Sequence, residues 1–411
     1  MSESPPSRVQ RARDWLGLER NIVVMLAALT LIGMGEELWL RFVPKYLEAL
    51  GATILIISVY GALKDFLDSV YQYPGGWLAD HWGRRRALEA FAVIAIAGYV
   101  MYVVSPNWVW VLVGTVGVSA WASLTLPAIF AIIGDSLPSE RRAIAFSMQS
   151  IIKRLPRVVA PALGGALIAA AGYMWGVRYA LLITIALALL TLLVLRRYFR
   201  ENAPRPAPGD HTNFRAIWRN MDAALKRLLV ADCFARWAQG LVDVFVVLYV
   251  TNVLYADAPK YGALVYGSLY GLQNLTSMLI YIPIAKLADR MNRAPFVLAT
   301  FAFFALYPLM LVRATSHSLL VLAFIVGGLR EIGEPARKAL IVDLAPATAR
   351  GRSVGMYYLV RGFVVFPAAL AGGWLYANRP VLPFYVACAV GVLGCAVYAV
   401  WGRGEKRVKV A

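Results

Sequence analysis

The segment "GALKDFLDSV" (61–70) places three ionisable side chains, Lys64, Asp65 and Asp68, inside a long apolar run. Lys64 and Asp68 are four residues apart, so they share one face of a helix and can form an ion pair. A charge at the centre of a membrane-spanning helix costs about 2.5–3.5 kcal/mol even on the cheaper scales. The segment therefore indicates either a structural ion pair or the wall of a water-filled pathway.

Similar charges recur in other apolar stretches, which we number as spans 1 to 12 along the chain. Spans 1, 2, 5, 7, 10 and 11 carry them, whereas spans 3, 6, 9 and 12 are nearly free of charge. The candidates for a shared polar cavity are Glu37, Lys64, Asp65, Asp68, Lys153, Arg157, Arg236, Asp243, Glu331, Glu334 and Arg361. A structural ion pair is the alternative interpretation of Lys64 with Asp68 and of Asp232 with Arg236. The number of charges nevertheless favours a wet cavity between helices.

The elements that must position these side chains are membrane-spanning helices. The chain has 411 residues, of which 60% are hydrophobic and only 16% charged. Apolar stretches of about 20 residues, the length that crosses a bilayer, recur throughout. We therefore predict an all-α polytopic membrane protein. The predicted spans are 21–43, 53–79, 86–105, 108–134, 143–171, 175–199, 223–253, 260–288, 293–313, 317–345, 351–377 and 380–403.

The net charge of +18 is concentrated in alternate loops. Arg84–Arg86 follow span 2 and Arg141–Arg142 follow span 4, whereas the other set of loops holds isolated residues such as Lys45 and Lys260. This distribution follows the positive-inside rule, with both termini cytoplasmic, and it predicts contact with anionic lipid headgroups rather than with nucleic acid. No small-residue cleavage site follows span 1, so we do not expect a removed signal peptide.

The chain contains an internal repeat. At a shift of 208 residues, "LPAIFAIIGDSLPSERR" (126–142) aligns with "EPARKALIVDLAPATAR" (334–350), and Gly164-Gly165 align with Gly372-Gly373. A duplicated six-span unit is typical of transporters that bind their substrate between the repeats. We predict a six-helix bundle at 1–199, a cytoplasmic linker at 200–222 and a second six-helix bundle at 223–411.

The segment "GGWLADHWGRRRAL" (75–88) resembles the loop G-x-L-a-D-x-x-G-R-[KR] of the major facilitator superfamily, with His81 in place of the usual basic residue. A degenerate second copy, "AKLADRMNR", lies at 285–293. The resemblance implies twelve transmembrane helices in two pseudo-symmetric bundles. It also implies a cytoplasmic gate formed by Gly76, Asp80, Gly83, Arg84, Arg85, Asp135 and Arg142.

Two further features bear on the direction of transport. "APALGG" (160–165) resembles a weakened form of the antiporter element G-P-x-x-G-G, which modestly favours export. The arginine that drug–proton antiporters usually carry four residues before a glycine in span 4 is replaced by Val113, before Gly117. The second feature weakens the case for proton coupling of the usual antiporter kind.

These observations favour a secondary active transporter, resembling bacterial drug or metabolite:proton antiporters, in the cytoplasmic (inner) membrane. We expect proton-coupled efflux of a small anionic, zwitterionic or amphipathic organic solute, with Glu37, Asp65, Asp68 and Glu331 as candidate proton carriers. Proton-coupled uptake of an anionic metabolite and movement of a lipid-like molecule are the alternatives. The expected partners are the solute, protons and lipids, and we expect a monomer. No residue constellation points to an enzyme, a metal or another cofactor.

Overall fold

A computed structural model gives the architecture of the chain. The described residues are 20–71, 74, 77–78, 81–136, 139–200, 217–219, 221–290, 294–344 and 350–401.

The described residues form twelve helical spans. The first six are α1 (Arg20–Ala49), α2 (Ile54–Val70), α3 (Arg84–Val103), α4 (Trp108–Ser136) and two helices within Ser139–Tyr198, α5 (139–171) and α6 (173–198). The last six are α7 (Ala223–Gly240, Val246–Tyr249 and Val250–Leu254), α8 (Pro259–Arg290), α9 (Ala294–Arg313), α10 (His317–Leu329 and Glu334–Asp343), α11 (Arg350–Val365 and Pro367–Asn378) and α12 (Leu382–Trp401). The all-helical fold predicted from the sequence is therefore confirmed.

Breaks in the helices follow local sequence and polarity. Gly172 separates α5 from α6 with φ 79° and ψ 169°, a conformation that glycine adopts without a steric penalty. Turns at 241–245 and 330–333 interrupt α7 and α10.

Seven helical segments in the described part of the chain are long and apolar enough to cross a membrane. The spans outside that set, α2, α7, α8 and α10, include the helices that carry Lys64, Asp232 and Arg330.

The packing of α5 and α11 follows the sequence repeat. Gly164 of α5 lies against the backbone of Leu38 in α1, and its repeat partner Gly372 of α11 lies against the backbone of Leu241 next to α7. A Cβ atom at either glycine would overlap the carbonyl oxygen of that neighbour. The next glycines, Gly165 and Gly373, meet α8 and α2 of the opposite half. Small residues thus allow the close helix approach that the duplicated pattern predicts.

The two halves also touch through polar groups near Gly51, at the end of α1 opposite Arg20. Lys45 pairs with Glu48 and donates a hydrogen bond to Asn252 Oδ1 at 2.7 Å. Asn252 Nδ2 in turn donates to Glu48 Oε1 at 2.9 Å, and the Tyr173 hydroxyl donates to the Pro259 carbonyl at 2.5 Å. These bonds join α1 to α7 and the start of α6 to the start of α8, so the halves are closed against each other at this end.

Candidate functional site

A cavity of about 280 Å³ lies within the N-terminal half, between α1, α2, α4 and α5. Its polar lining includes Thr115, Ser119, Ser123 and Thr125 of α4. The acidic and basic side chains that the structure describes in its wall are Glu36, Glu37, Arg41, Lys64, Asp68, Lys153 and Arg157. Five of the eleven residues proposed from the sequence, Glu37, Lys64, Asp68, Lys153 and Arg157, therefore meet at one cavity.

Glu37 is the buried carboxylate of this cavity. Its Oε1 accepts a hydrogen bond from Arg157 Nε at 3.0 Å, and its Oε2 lies 3.4 Å from Arg41 Nε. The Arg41 guanidinium also stacks 4.7 Å from the ring centroid of Tyr270, a residue of α8. Arg41 thus connects the cavity wall of the N-terminal half to the C-terminal half through an ion pair and a cation–π contact.

Two further acids of the cavity have partners. Asp68 Oδ2 accepts from Lys64 Nζ at 2.8 Å, and Asp68 Oδ1 accepts from Ser123 Oγ at 2.7 Å. Glu36 Oε1 accepts from the Tyr99 hydroxyl at 2.6 Å. The spacing of Lys64 and Asp68 predicted their ion pair, whereas Ser123 and Tyr99 come from distant parts of the chain. Each acid that lines the cavity is therefore hydrogen-bonded.

Lys153 differs from the other cations in the wall. It is half-buried and lines the cavity, yet its ammonium group makes no ion pair or hydrogen bond with any residue that the structure describes. Arg41, Lys64 and Arg157, by contrast, each contact a carboxylate. Among the described residues, Lys153 is therefore the cation of the cavity wall that has no direct carboxylate partner.

The other six proposed residues do not line this cavity. Asp65 is half-buried beside Lys64, and its carboxylate has no ion-pair or hydrogen-bond partner within the described residues. Asp243 is exposed in the turn that interrupts α7. Glu331 lies 3.6 Å from Arg154 Nη2, which places a contact between α10 and α5 of the opposite half. The other three residues are Arg236, Glu334 and Arg361, which belong to a separate cluster.

A second group of charged residues joins three helices of the C-terminal half, and we call it the Asp232 cluster. Its members are Asp232, Arg236, Glu334, Arg337, Tyr357 and Arg361. Asp232 is 1% exposed and pairs with Arg337, with Arg361 Nη1 at 3.2 Å and with the Tyr357 hydroxyl at 3.0 Å. Glu334 pairs with Arg337 and lies 3.3 Å from Arg236 Nη2. The cluster joins α7, α10 and α11, and the spacing of Asp232 and Arg236 indicated only one of its contacts.

Only part of the proposed gate lies among the described residues. Gly76 and Asp80, and the side chains of Asp135 and Arg142, lie outside them. Gly83 precedes α3 with φ 88°, a backbone conformation that favours glycine. Arg84 is the first residue of α3. Arg85 Nε donates to Glu89 Oε1 at 2.9 Å, and Arg85 Nη2 donates to the Arg196 carbonyl at 2.8 Å, which ties α3 to α6.

The list of cavity candidates drawn from the sequence left out several charged residues of the spans that the structure brings into these groups. Glu36 and Arg41 line the cavity, and Arg337 bridges both acids of the Asp232 cluster. Arg41 follows Glu37 by four residues, so spacing alone could have indicated it. No local signal could have identified Tyr99 or Tyr270 as partners. Among the described residues, no group of three or more His, Cys, Asp and Glu side chains could hold a metal ion.

Comparison with known proteins gives concordant results. The family model described as Major Facilitator Superfamily matches residues 25–272 and 228–411. An uncharacterized MFS-type transporter of Methanocaldococcus jannaschii is 21% identical over 92% of this chain and 93% of its own length. The multidrug resistance protein MdtG of Rahnella is 24% identical over 96% of both chains. The crystal structure of the nucleoside transporter NupG superposes with a TM-score of 0.74 at 14% identity, covering 93% of this chain and 100% of that one.

Proposed function

Since the chain belongs to the major facilitator superfamily of membrane transporters, we propose that it is a secondary active transporter that carries a small organic solute by alternating access. The observation that supports this function best is the cavity in the N-terminal half, in which Glu37, Lys64, Asp68, Lys153 and Arg157 meet around about 280 Å³ of space. Charges are tolerated inside a membrane protein where they pair with one another or face water. A charged cavity in a chain of this family is a site for a polar solute.

We further propose that transport is proton-coupled efflux across the cytoplasmic membrane. The export direction is supported by similarity to relatives named multidrug resistance proteins and by "APALGG". The coupling carboxylate is one of Glu37, Asp65, Asp68 and Glu331. Asp65 is the best candidate because a carboxylate without a partner can take up and release a proton without breaking an ion pair. The chain works as a monomer whose termini face the cytoplasm, with Gly76, Asp80, Gly83, Arg84, Arg85, Asp135 and Arg142 as the gate at that side.

The purified chain in proteoliposomes tests the coupling and the direction. Solutes that stabilise the protein against heating are added outside the vesicles. Their accumulation inside the vesicles is then followed under pH gradients of opposite sign. An antiporter accumulates solute when the vesicle interior is acidic, because protons leave as the solute enters. A symporter accumulates it when the exterior is acidic. Accumulation that no pH gradient of either sign changes would contradict proton coupling.

Substitution of Asp65 tests the assignment of the proton carrier. We expect Asp65→Asn to abolish accumulation driven by a pH gradient and to retain exchange of labelled for unlabelled solute, since exchange needs no net proton movement. Asp257→Asn is the matched control, because Asp257 is exposed in the turn before α8. Gradient-driven accumulation at the wild-type rate in Asp65→Asn would move the proton site to another carboxylate.

Uptake of an anionic metabolite with protons remains the second candidate function. The observation that favours it is the cavity wall, in which basic residues outnumber acidic ones among the residues that the structure describes. The same pair of pH gradients separates this function from efflux, because the two mechanisms accumulate solute under gradients of opposite sign.

A further inference from the structure

We propose that the cavity binds an organic monoanion and that the ammonium group of Lys153 is its anchor. This inference rests on the proposed transport function and names the charge class of the solute and the residue that selects it.

The first argument is the charge balance of the cavity wall. Among the residues that the structure describes, the cations of the wall are Arg41, Lys64, Lys153 and Arg157, and its acids are Glu36, Glu37 and Asp68. With every group ionised, four positive charges face three negative ones, which leaves one positive charge. One negative charge on a ligand neutralises the wall, whereas a zwitterion leaves the excess unchanged and a cation increases it. The balance thus favours a ligand that carries a single negative charge.

The second argument is the availability of each cation. Arg157 and Arg41 contact Glu37, and Arg41 also stacks on Tyr270. Lys64 is bonded to Asp68. An anion that bound any of these three would share a cation that a carboxylate already partly neutralises, and it would be repelled by that carboxylate. Lys153 has no ion pair or hydrogen bond among the described residues, so an anion can bind its ammonium group without displacing a carboxylate.

The third argument is that two of the three acids, Glu37 and Asp68, are already held by cations, which disfavours a cationic solute at either of them. Glu37 already contacts two arginines, and Asp68 accepts hydrogen bonds from Lys64 and Ser123. A cation that entered the cavity would have to compete with these tethered groups and would leave a displaced arginine or lysine unpaired. Leaving one member of a buried ion pair without its partner is strongly unfavourable.

The remaining wall determines the rest of the ligand. Leu29, Leu40, Val118, Trp121 and Pro156 line the cavity together with the charged groups. A volume of about 280 Å³ lies at the lower limit of the 300–1,000 Å³ that is typical of sites for drug-sized molecules. The ligand is therefore a small carboxylate or sulfonate with a compact apolar or aromatic body.

Thermal stabilisation of the purified full-length chain by matched probes tests the proposal. The probes share a phenyl body and differ in charge: the anion 3-phenylpropanoate, the neutral 3-phenylpropanamide, the cation 3-phenylpropylamine and the zwitterion phenylalanine. Cyclohexyl and n-butyl analogues of each probe vary the apolar body. We expect only the carboxylates to raise the melting temperature of the wild type at millimolar concentration. In Lys153→Gln their affinity should fall about 10- to 100-fold, as expected for the loss of a hydrogen bond to a charged group.

Two variants serve as controls. Lys153→Arg keeps the positive charge and should retain most of the carboxylate affinity. Lys260→Gln removes an exposed lysine at the start of α8. Among the described residues, α8 contributes none to the cavity wall, so this variant should behave as the wild type. If Lys153→Gln does not fold, acetylation of the wild type by an amine-reactive reagent replaces it. Carboxylates should then protect Lys153 and leave the labelling of Lys260 unchanged.

Three results would overturn the anion anchor. These are greater stabilisation by the amine, amide or zwitterion than by the carboxylate, equal carboxylate affinity in Lys153→Gln, and no effect of any carboxylate on the wild type. Counterflow in proteoliposomes separates this failure from failure of the transport function. Counterflow of the amine would support the transport function and contradict Lys153 as an anion anchor. Carboxylate binding that depends on Lys153, without counterflow of any probe, would support the anion site and contradict the transport function.

Discussion

At the scale of single residues, buried charges in this protein are paired by side chains from distant helices. Asp232 is 1% exposed, and it receives Arg337 from α10 and Arg361 and Tyr357 from α11. Because the Asp232 cluster contains more cations than acids, each of its carboxylates holds several cations in place. Removal of one acid therefore leaves more than one cation without a counter-charge.

Replacement of Asp232 by asparagine tests this dependence. We expect Asp232→Asn to lower the free energy of unfolding by about 3–5 kcal/mol, since it breaks the buried ion pair with Arg337 and leaves Arg361 without its acid. Reversible unfolding in mixed micelles measures the loss. Asp257→Asn, at an exposed position, should change stability little. Equal stability of the two variants would show that the Asp232 cluster is solvated by water rather than held by this carboxylate.

At the scale of elements, the protein depends on equivalent close contacts of α5 and α11. Gly164 allows α5 to approach α1, and Gly372 allows α11 to approach the Leu241 backbone beside α7. The sequence repeat, with its shift of 208 residues, therefore corresponds to a repeated packing arrangement as well as to sequence similarity. Without a hydrophobic driving force between helices in lipid, such close packing is a main source of helix association.

A single methyl group at these contacts should be destabilising. We expect Gly372→Ala to cost about 1–3 kcal/mol, the usual range for overpacking a tight core. Gly355→Ala is the matched control, because a Cβ at Gly355 of α11 meets no atom within 4 Å. Alanine there should leave stability unchanged or raise it, since alanine favours helix more than glycine does. Thermal unfolding of both variants in the same detergent measures the difference, and equal melting temperatures would contradict the packing argument.

At the scale of the whole molecule, contacts between the halves hold one end closed. Lys45, Glu48 and Asn252 form a triangle of hydrogen bonds between α1 and α7. Arg154 contacts Glu331 and Ser277 from α5, deeper in the bundle. If the chain works by the alternating access proposed above, the halves separate at this end and the triangle breaks once in each transport cycle.

Loss of Asn252 should therefore shift the conformational equilibrium. Asn252→Ala removes two hydrogen bonds between the halves, each worth about 0.5–1.5 kcal/mol, and we expect the open population to rise about 5- to 100-fold. Hydrogen–deuterium exchange at the ends of α1 and α7 near Gly51 should become faster. Arg227→Gln, altered at an exposed residue near the opposite end of α7, provides the control. Unchanged exchange in Asn252→Ala would assign the closure to helix packing instead.

The sequence predicted the fold class and the family correctly, because both depend on local properties. A helix that crosses a bilayer must be long and apolar, and its hydropathy reports this directly. The predicted spans differ from the helices mainly at their ends, as for α4, predicted over 108–134 and described over Trp108–Ser136. The loop resemblance at 75–88 and the repeat indicated the family, which the match over residues 25–272 and 228–411 confirms.

The composition of the site depended on the tertiary structure. Spacing within one helix predicted the Lys64–Asp68 pair, but it could not separate the cavity charges from the Asp232 cluster. That distinction depends on how each helix is rotated and on partners such as Tyr99, Ser123 and Arg157, which lie 55 to 120 residues from the acids they contact. Sequence alone therefore determined that the chain is a twelve-helix membrane protein with charges in its interior. Only the folded chain decided which charges neutralise one another, because a charge is satisfied by its neighbours in space, and it left the Lys153 ammonium without a partner among the residues described.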